Sequence, residues 1–322
     1  MSIHRSRTAL LALVGAAALF LSACGSDGGS DSTSAGGVTK LTVAVSPGAA
    51  TSAPMYLAVK NGTFKKLGFD VKLTVLQNGT VAIPQVLNGQ TQFTMASFGP
   101  VAEAIEKGLG IKLIGGANII PTDPNTKYQA IVVNDKISSI ADVKTFAAQS
   151  TDVDPVQGYA VDQLGGDYRK MKLLQLSLPE LGEAVKKGNA DAALLNEPFL
   201  SMALKGGGVK VLSYIQAHQS LPGTPGAVFI GSDKYMKAHP AITKKFTQGI
   251  QEAYSYAQAH LDEIAKSVPD TGLTDQVPPV IALGEYQDGP LESAKVDELL
   301  KLFDTYGVLD KKLTSADMVY QP

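Results

Sequence analysis

The sequence has one cysteine, no tryptophan and three arginines in 322 residues. The lone Cys24 excludes an intrachain disulfide and a cysteine metal cluster. The arginines are Arg5, Arg7 and Arg169, and Lys+Arg total 28 against 30 Asp+Glu, a net charge of −2. That balance supplies no basic patch for a nucleic-acid partner. Histidine is scarce too: His4, His218, His239 and His260, with no pair at zinc-ligand spacing, so no metal is expected. The longest apolar run, Leu10 to Leu21, is about twelve residues, short of the roughly twenty that span a bilayer as a helix. There is no Gly-x-Ser-x-Gly elbow, phosphate loop or dinucleotide fingerprint. Gly206-Gly207-Gly208 follows a predicted helix instead of opening one. Neither catalysis nor a cofactor is expected.

What is present begins with an address. Residues 1–23 have a charged start at Arg5 and Arg7, an apolar run and small residues before Cys24, which predicts a signal peptide. Leu21-Ser22-Ala23-Cys24-Gly25 resembles a bacterial lipoprotein box. That resemblance implies lipidation of Cys24 as the first mature residue and a membrane partner through the lipid anchor. It places the chain on the outer face of the cytoplasmic membrane, at the cell surface or in the periplasm. Residues 24–38 are Gly/Ser-rich and predict a flexible tether.

From residue 39 the chain alternates strand and helix patterns. Strands are expected at 39–46, 70–76, 92–96 and 111–115, with helices between them at 53–61, from Thr80 to Gly89 and from Pro100 to Gly108. After the turn-rich stretch 121–125 the pattern resumes. Strands are expected at 128–133, 172–176, 191–195 and 209–214, and helices at 138–146, from Pro155, from Leu178 and from Pro198. The series predicts mainly parallel sheets with helices on both faces. The last third reads as a short strand at 228–231 followed by helices, one with Pro240 at its first position and one over 291–306 ending at Gly307.

In open α/β sheets, ligands bind at the carboxyl ends of the strands. The loops expected there supply the candidate ligand-binding residues: Ser46, Thr51, Ser52, Gln77, Asn78, Ser97, Phe98, Thr151, Asn196 and Glu197. Several stand just before helix starts, whose free N–H groups hold an anion without arginine. The competing reading is that these hydroxyls and amides only cap their helices. Phe98, Tyr56, Tyr128, Tyr159 and Phe199 are candidate walls, each of a type more often core than ligand contact. Glu197, before Pro198, suits either a helix-dipole role or a hinge or ligand role.

The stretch from Ser46 to Lys60, with Gly62-Thr63-Phe64 and Gly68-Phe69-Asp70-Val71, resembles the opening of ABC-importer substrate-binding proteins of the nitrate/sulfonate/taurine and thiamine-precursor branch. Val86-Leu87-Asn88-Gly89-Gln90-Thr91-Gln92-Phe93 resembles a turn of that family, with Gln92 in place of its acid. Asn189-Ala190-Asp191, Glu197-Pro198-Phe199 and His239-Pro240 match as well. The resemblance implies a periplasmic-binding-protein type II fold, with two α/β lobes joined by a two-crossing hinge. The first lobe would be 39–121 and 228–322, the second 122–227, with crossings near 121–127 and 226–231. It implies a monomer that takes a small-molecule ligand, a sulfonate, nitrate/taurine-like anion or pyrimidine precursor, to an ABC permease and its ATPase. A sensory lipoprotein and a pyrimidine-precursor synthase-like enzyme are the alternatives. The text after Lys144 departs from the family pattern, so the second lobe's ligand loop is expected to differ.

Overall fold

The computed structural model describes residues 37–46, 48–76, 81–149, 154–215, 221–268 and 283–321. Two sheets organise the chain. The first contains β1 (Thr39–Val45), β2 (Phe69–Val75), β3 (Phe93–Ser97), β4 (Ile111–Ile119), β10 (Pro225–Ser232) and β11 (Glu285–Tyr286), in the order β11-β4-β10-β3-β1-β2. The second contains β5 (Gln129–Asn134), β6 (Thr145–Ala148), β7 (Lys172–Gln175), β8 (Ala192–Asn196) and β9 (Val209–Tyr214), in the order β7-β6-β8-β5-β9. Each sheet with its helices is called a lobe below.

Alternation along the strands explains why helices cover both faces of each sheet. In β1, Leu41, Val43 and Val45 face one core while Ala44 faces another. In β10, Phe229 joins the first core, and Val228 and Ile230 join the second. The first core is covered by α1 (Ala49–Lys60), α2 (Thr63–Lys66), α9 (Pro240–Ala259) and α10 (Leu261–Ser267). The second is covered by α3 (Ala82–Leu87), α4 (Phe98–Glu106), α11 (Ser293–Tyr306) and α12 (Ser315–Met318). The other sheet repeats the plan. There, α6 (Leu181–Lys186) and α7 (Phe199–Gly206) lie on one face, and α5 (Pro155–Gln163) on the other. The short α8 (Asp233–Ala238) leads into α9.

Both sheets are mixed, not mainly parallel. β1 pairs in parallel with β2 and β3, but β10 inserts antiparallel between β3 and β4. The cause is the route of the chain. It leaves the first sheet after Ile119, enters the second at Gln129, and returns between Tyr214 and Pro225, so the returning strand arrives from the opposite direction. Residues 226–231, expected as a crossing, therefore lie inside β10. The two crossings are tied to each other: Ile120 N donates to Thr224 O (2.8 Å) and Gly223 N to Ile120 O (2.8 Å).

The helix expected over 138–146 is only a 3-10 turn, Ile140–Asp142, followed by strand β6. Asp191 forces this outcome. Its Oδ2 accepts from Lys144 N (2.9 Å) and Thr145 N (2.8 Å), which draws that backbone alongside β8. Phe146 then buries completely, edge-on to Tyr168. Residues 145–148, just after Lys144 where the departure from the family pattern begins, are thus a strand. Gln92 likewise fills the place of an acid, its Oε1 accepting from Thr42 N at 2.7 Å.

Two further helices begin earlier than expected. α4 starts at Phe98 with Pro100 in its first turn, and α1 starts at Ala49 with Pro54 inside it. Pro54 has no N–H, so the carbonyl of Ala50, four residues back, loses its helical partner. Tyr286 supplies the missing donor, its phenol reaching Ala50 O at 2.8 Å.

Candidate functional site

β1 and β3 are adjacent and parallel. The helices that follow them, α1 and α4, therefore start at the same edge of the first sheet. Both starts lack a side-chain cap and an acidic residue in the first turn. Gly48 precedes α1, and Ser97, exposed, precedes α4. Of the other helices, α5, α8 and α12 carry side-chain caps, and α2, α3, α6, α7, α9, α10 and α11 do not. Asp154 accepts from Val156 N (2.9 Å) and Gln157 N (3.1 Å) at α5, Ser232 accepts from Tyr235 N (3.3 Å) at α8, and Thr314 closes a capping box at α12. An uncapped helix start presents free N–H groups and the positive end of the dipole. Two such ends side by side form a place for an anionic or strongly accepting group.

A polar seam runs from this edge to the second lobe. Thr51, in α1, places Oγ1 3.4 Å from the hydroxyl of Tyr128, which stands just before β5. Asn196, at the end of β8, donates through Nδ2 to the same hydroxyl at 3.2 Å. One phenol thus meets a side chain from each lobe. Tyr128 is buried, with its ring against Gly284, and burial pushes its phenol above its ordinary pKa. It stays a neutral donor and acceptor at physiological pH.

The support beneath α1 is also aromatic. Tyr254 donates to Thr51 O (3.0 Å) and Tyr286 to Ala50 O (2.8 Å), and the two rings meet edge to face. Burial holds both phenols well above their usual pKa. These bonds join residues more than two hundred positions apart in the chain, and nothing in the sequence pairs them. Glu285 was invisible in the same way. It grips the first crossing by accepting from Thr122 N (2.9 Å), Thr122 Oγ1 (2.7 Å) and Asp123 N (3.0 Å).

The residues singled out from sequence divide into groups. Thr51 and Asn196 converge on Tyr128, and Ser97 stands at the uncapped start of α4. Ser46 and Ser52 are engaged locally: Ser46 Oγ accepts from Gly48 N (3.0 Å), and Ser52 Oγ donates to Ser46 O (2.7 Å). Glu197 is buried, and its carboxylate accepts from Ser201 Oγ (2.8 Å) and Ser201 N (3.3 Å) in α7. Phe98 sits in the second core. It is buried against Phe303 because it falls on the inner face of α4. Phe199 is core as well, and Tyr56 packs partly buried against the first core. Tyr159 packs on the first lobe from the second. Gln77, Asn78, Thr151 and Cys24 lie outside the described residues.

Comparison with known proteins agrees with this architecture. The chain is 26% identical over 284 residues to a putative aliphatic sulfonates-binding protein of Bacillus subtilis, covering 83% of this chain and 82% of that one. It is 22% identical over 215 residues to a formylaminopyrimidine-binding protein of Halalkalibacterium halodurans, covering 65% and 63%. Among solved structures, the alkanesulfonate-binding protein SsuA from Xanthomonas axonopodis pv. citri, bound to MOPS, superposes with a TM-score of 0.68 at 18% identity, covering 88% of this chain and 98% of that one. The fold is that of the periplasmic binding proteins. A model of NMT1/THI5-like proteins matches residues 49–264. The chain belongs to the NMT1/THI5-like family.

Proposed function

We propose that this protein is an extracytoplasmic solute-binding component of an ABC importer, and that its solute is a small organic anion of the sulfonate class. The observation that carries the reading is the pair of uncapped helix starts, α1 and α4, at one sheet edge beside the Thr51–Tyr128–Asn196 seam. Backbone N–H groups there would donate to the sulfonate oxygens. The Tyr128 hydroxyl and Asn196 would fix the remainder of the solute from the hinge side. The body's one arginine, Arg169, lies elsewhere, so anion binding would rest on backbone dipoles. The relatives named for aliphatic sulfonates and alkanesulfonates support this class.

A neutral or weakly charged pyrimidine precursor is the second reading. It is favoured by the uncharged chemistry of the seam and by the relative named for formylaminopyrimidine. The role is binding and delivery, with the lobes closing over the solute and presenting a joint surface to the permease. Lipidation at Cys24 would hold the protein beside that permease. Replacing Cys24 with Ser should release it from membranes, and retention would remove the anchor from the account.

The test is a thermal-shift panel of alkanesulfonates, taurine, nitrate and formylaminopyrimidine. A solute at a hundred times its Kd stabilises by about 2.7 kcal/mol, a shift easily resolved. A saturable rise with alkanesulfonates, weakened by Thr51→Val and Ser97→Pro, is expected. A rise with formylaminopyrimidine alone would select the second reading, and no rise with any of the four would reject both.

A further inference from the structure

Away from the seam, the lobes touch a second time, where α5 of the second lobe meets α11 of the first. Tyr306, in the last turn of α11, donates its phenol proton to Asp162 Oδ2 on α5 at 2.6 Å. Arg169, in the 3-10 turn Tyr168–Lys170, donates through Nη2 to Thr305 O at 3.2 Å. The Thr305 carbonyl lies at the negative end of the α11 dipole, where the last carbonyls lack helical partners and a cation is favoured. The same guanidinium stands over the Tyr306 ring, 5.0 Å from its centre. Gly158 lets the ring lie directly on α5, since a Cβ there would fall 2.8 Å from Tyr306 Cε1. Beside this contact runs a groove of ≈ 840 Å³, lined in part by Gln163, Asp167 and Lys301. The tie is therefore a solvent-bordered set of polar bonds beside apolar packing, in which Val156 and Tyr159 of α5 lie against the core that α11 covers.

Its position along α11 gives it leverage. At the other end of that helix, Lys295 Nζ donates to Pro222 O (2.8 Å), in the returning crossing. Eleven residues at 1.5 Å rise place Tyr306 about 16 Å from that anchor. A hinge rotation of about 10° would shift a point at that distance by roughly 3 Å, enough to break a hydrogen bond. α5 begins at the capped Asp154 and carries Asp162 in its last turn.

We propose that the Asp162–Tyr306–Arg169 contact is a latch that holds the lobes together before any solute arrives, with Arg169 and Tyr306 as positioning residues for solute capture. A preset lobe angle raises apparent affinity, because the competent state is already populated.

The experiment uses the full chain, solute-free, with Cys24→Ser and spin labels at Lys65→Cys and Lys136→Cys, one in each lobe. Pulsed dipolar distances report the ratio of short to long separations. Tyr306→Phe and Arg169→Ala should each lower that ratio about fivefold. High salt should lower it in the parent and have less effect on Arg169→Ala, because the attraction of an exposed cation for a helix C-terminus is screened by salt. Arg169 is exposed, so its removal leaves the fold intact and keeps the test decisive if Tyr306→Phe folds poorly. Unchanged distances in Arg169→Ala, or a shift toward shorter ones, would overturn the latch. Because no solute is present, that failure is separate from any failure of the sulfonate assignment.

Discussion

Tyr286→Phe removes one oxygen and leaves the ring in place, which isolates the problem that Pro54 creates. The Ala50 carbonyl is almost wholly buried and lacks its helical N–H because residue 54 is proline. In the variant it would have no donor at that position. Losing a net hydrogen bond costs about 1 kcal/mol, and leaving a buried acceptor unsatisfied raises the cost to about 2–3 kcal/mol. Tyr254→Phe is the internal control. Its acceptor, Thr51 O, still has the N–H of Met55 one turn on, so its loss should cost only about 1 kcal/mol. Guanidinium unfolding of the two variants should separate them, and the melting temperature should fall by roughly 4–8 °C for Tyr286→Phe. Pro54→Ala restores the N–H, so in that background Tyr286→Phe should cost about 1 kcal/mol, a positive coupling in the double-mutant cycle. Equal costs for the two tyrosines, or a cycle with no coupling, would refute the reasoning.

Asp154→Ala should destabilise by about 1 kcal/mol through loss of the α5 cap, while Asp154→Asn keeps the cap. Burial pushes the Asp154 carboxyl above its ordinary pKa. The folded state therefore holds the proton more readily than the unfolded state, so this group's contribution falls as pH rises from the ordinary carboxylate range through the raised value. Unfolding free energies across that window should show the decline in the parent and not in Asp154→Asn. Gly249→Ala should lose about 1–3 kcal/mol despite its better helix propensity, because the new Cβ would lie 2.7 Å from the buried Phe64 ring; an equal or higher melting temperature would contradict this. Glu285→Gln should speed amide exchange at Thr122 and Asp123 while leaving global stability within about 1 kcal/mol, since the bonds it weakens are exposed.

Much of the fold was legible because its signals are local. Leu41, Val43 and Val45 alternate, Pro240 opens α9, and Gly307 closes α11. The errors came where a distant residue decided the outcome. The stretch 138–146 fits a short helix until Asp191 binds the backbone at Lys144 and Thr145. Val228 and Ile230 show a strand but not its antiparallel insertion between β3 and β4, which depends on the route through the other lobe. The candidate site followed the same rule. Thr51 and Asn196 could be named from their loops, but Tyr128 reads more readily as core than as a ligand contact. Phe98 lies in the core because helix phase, set by a start two residues earlier than expected, turns it inward. With the helix expected from residue 53, Pro54 gave no sign that Ala50 O would need a donor, and no sequence pattern named Tyr286 as the one that arrives.

The central claim is that two uncapped helix starts receive the solute's acidic oxygens. An amide-resolved NMR titration with butanesulfonate tests it most directly. Saturable shifts concentrated at residues 48–51 and 97–101 and at Tyr128 are predicted. Saturable shifts confined to other parts of the chain, or none at millimolar sulfonate, would contradict it.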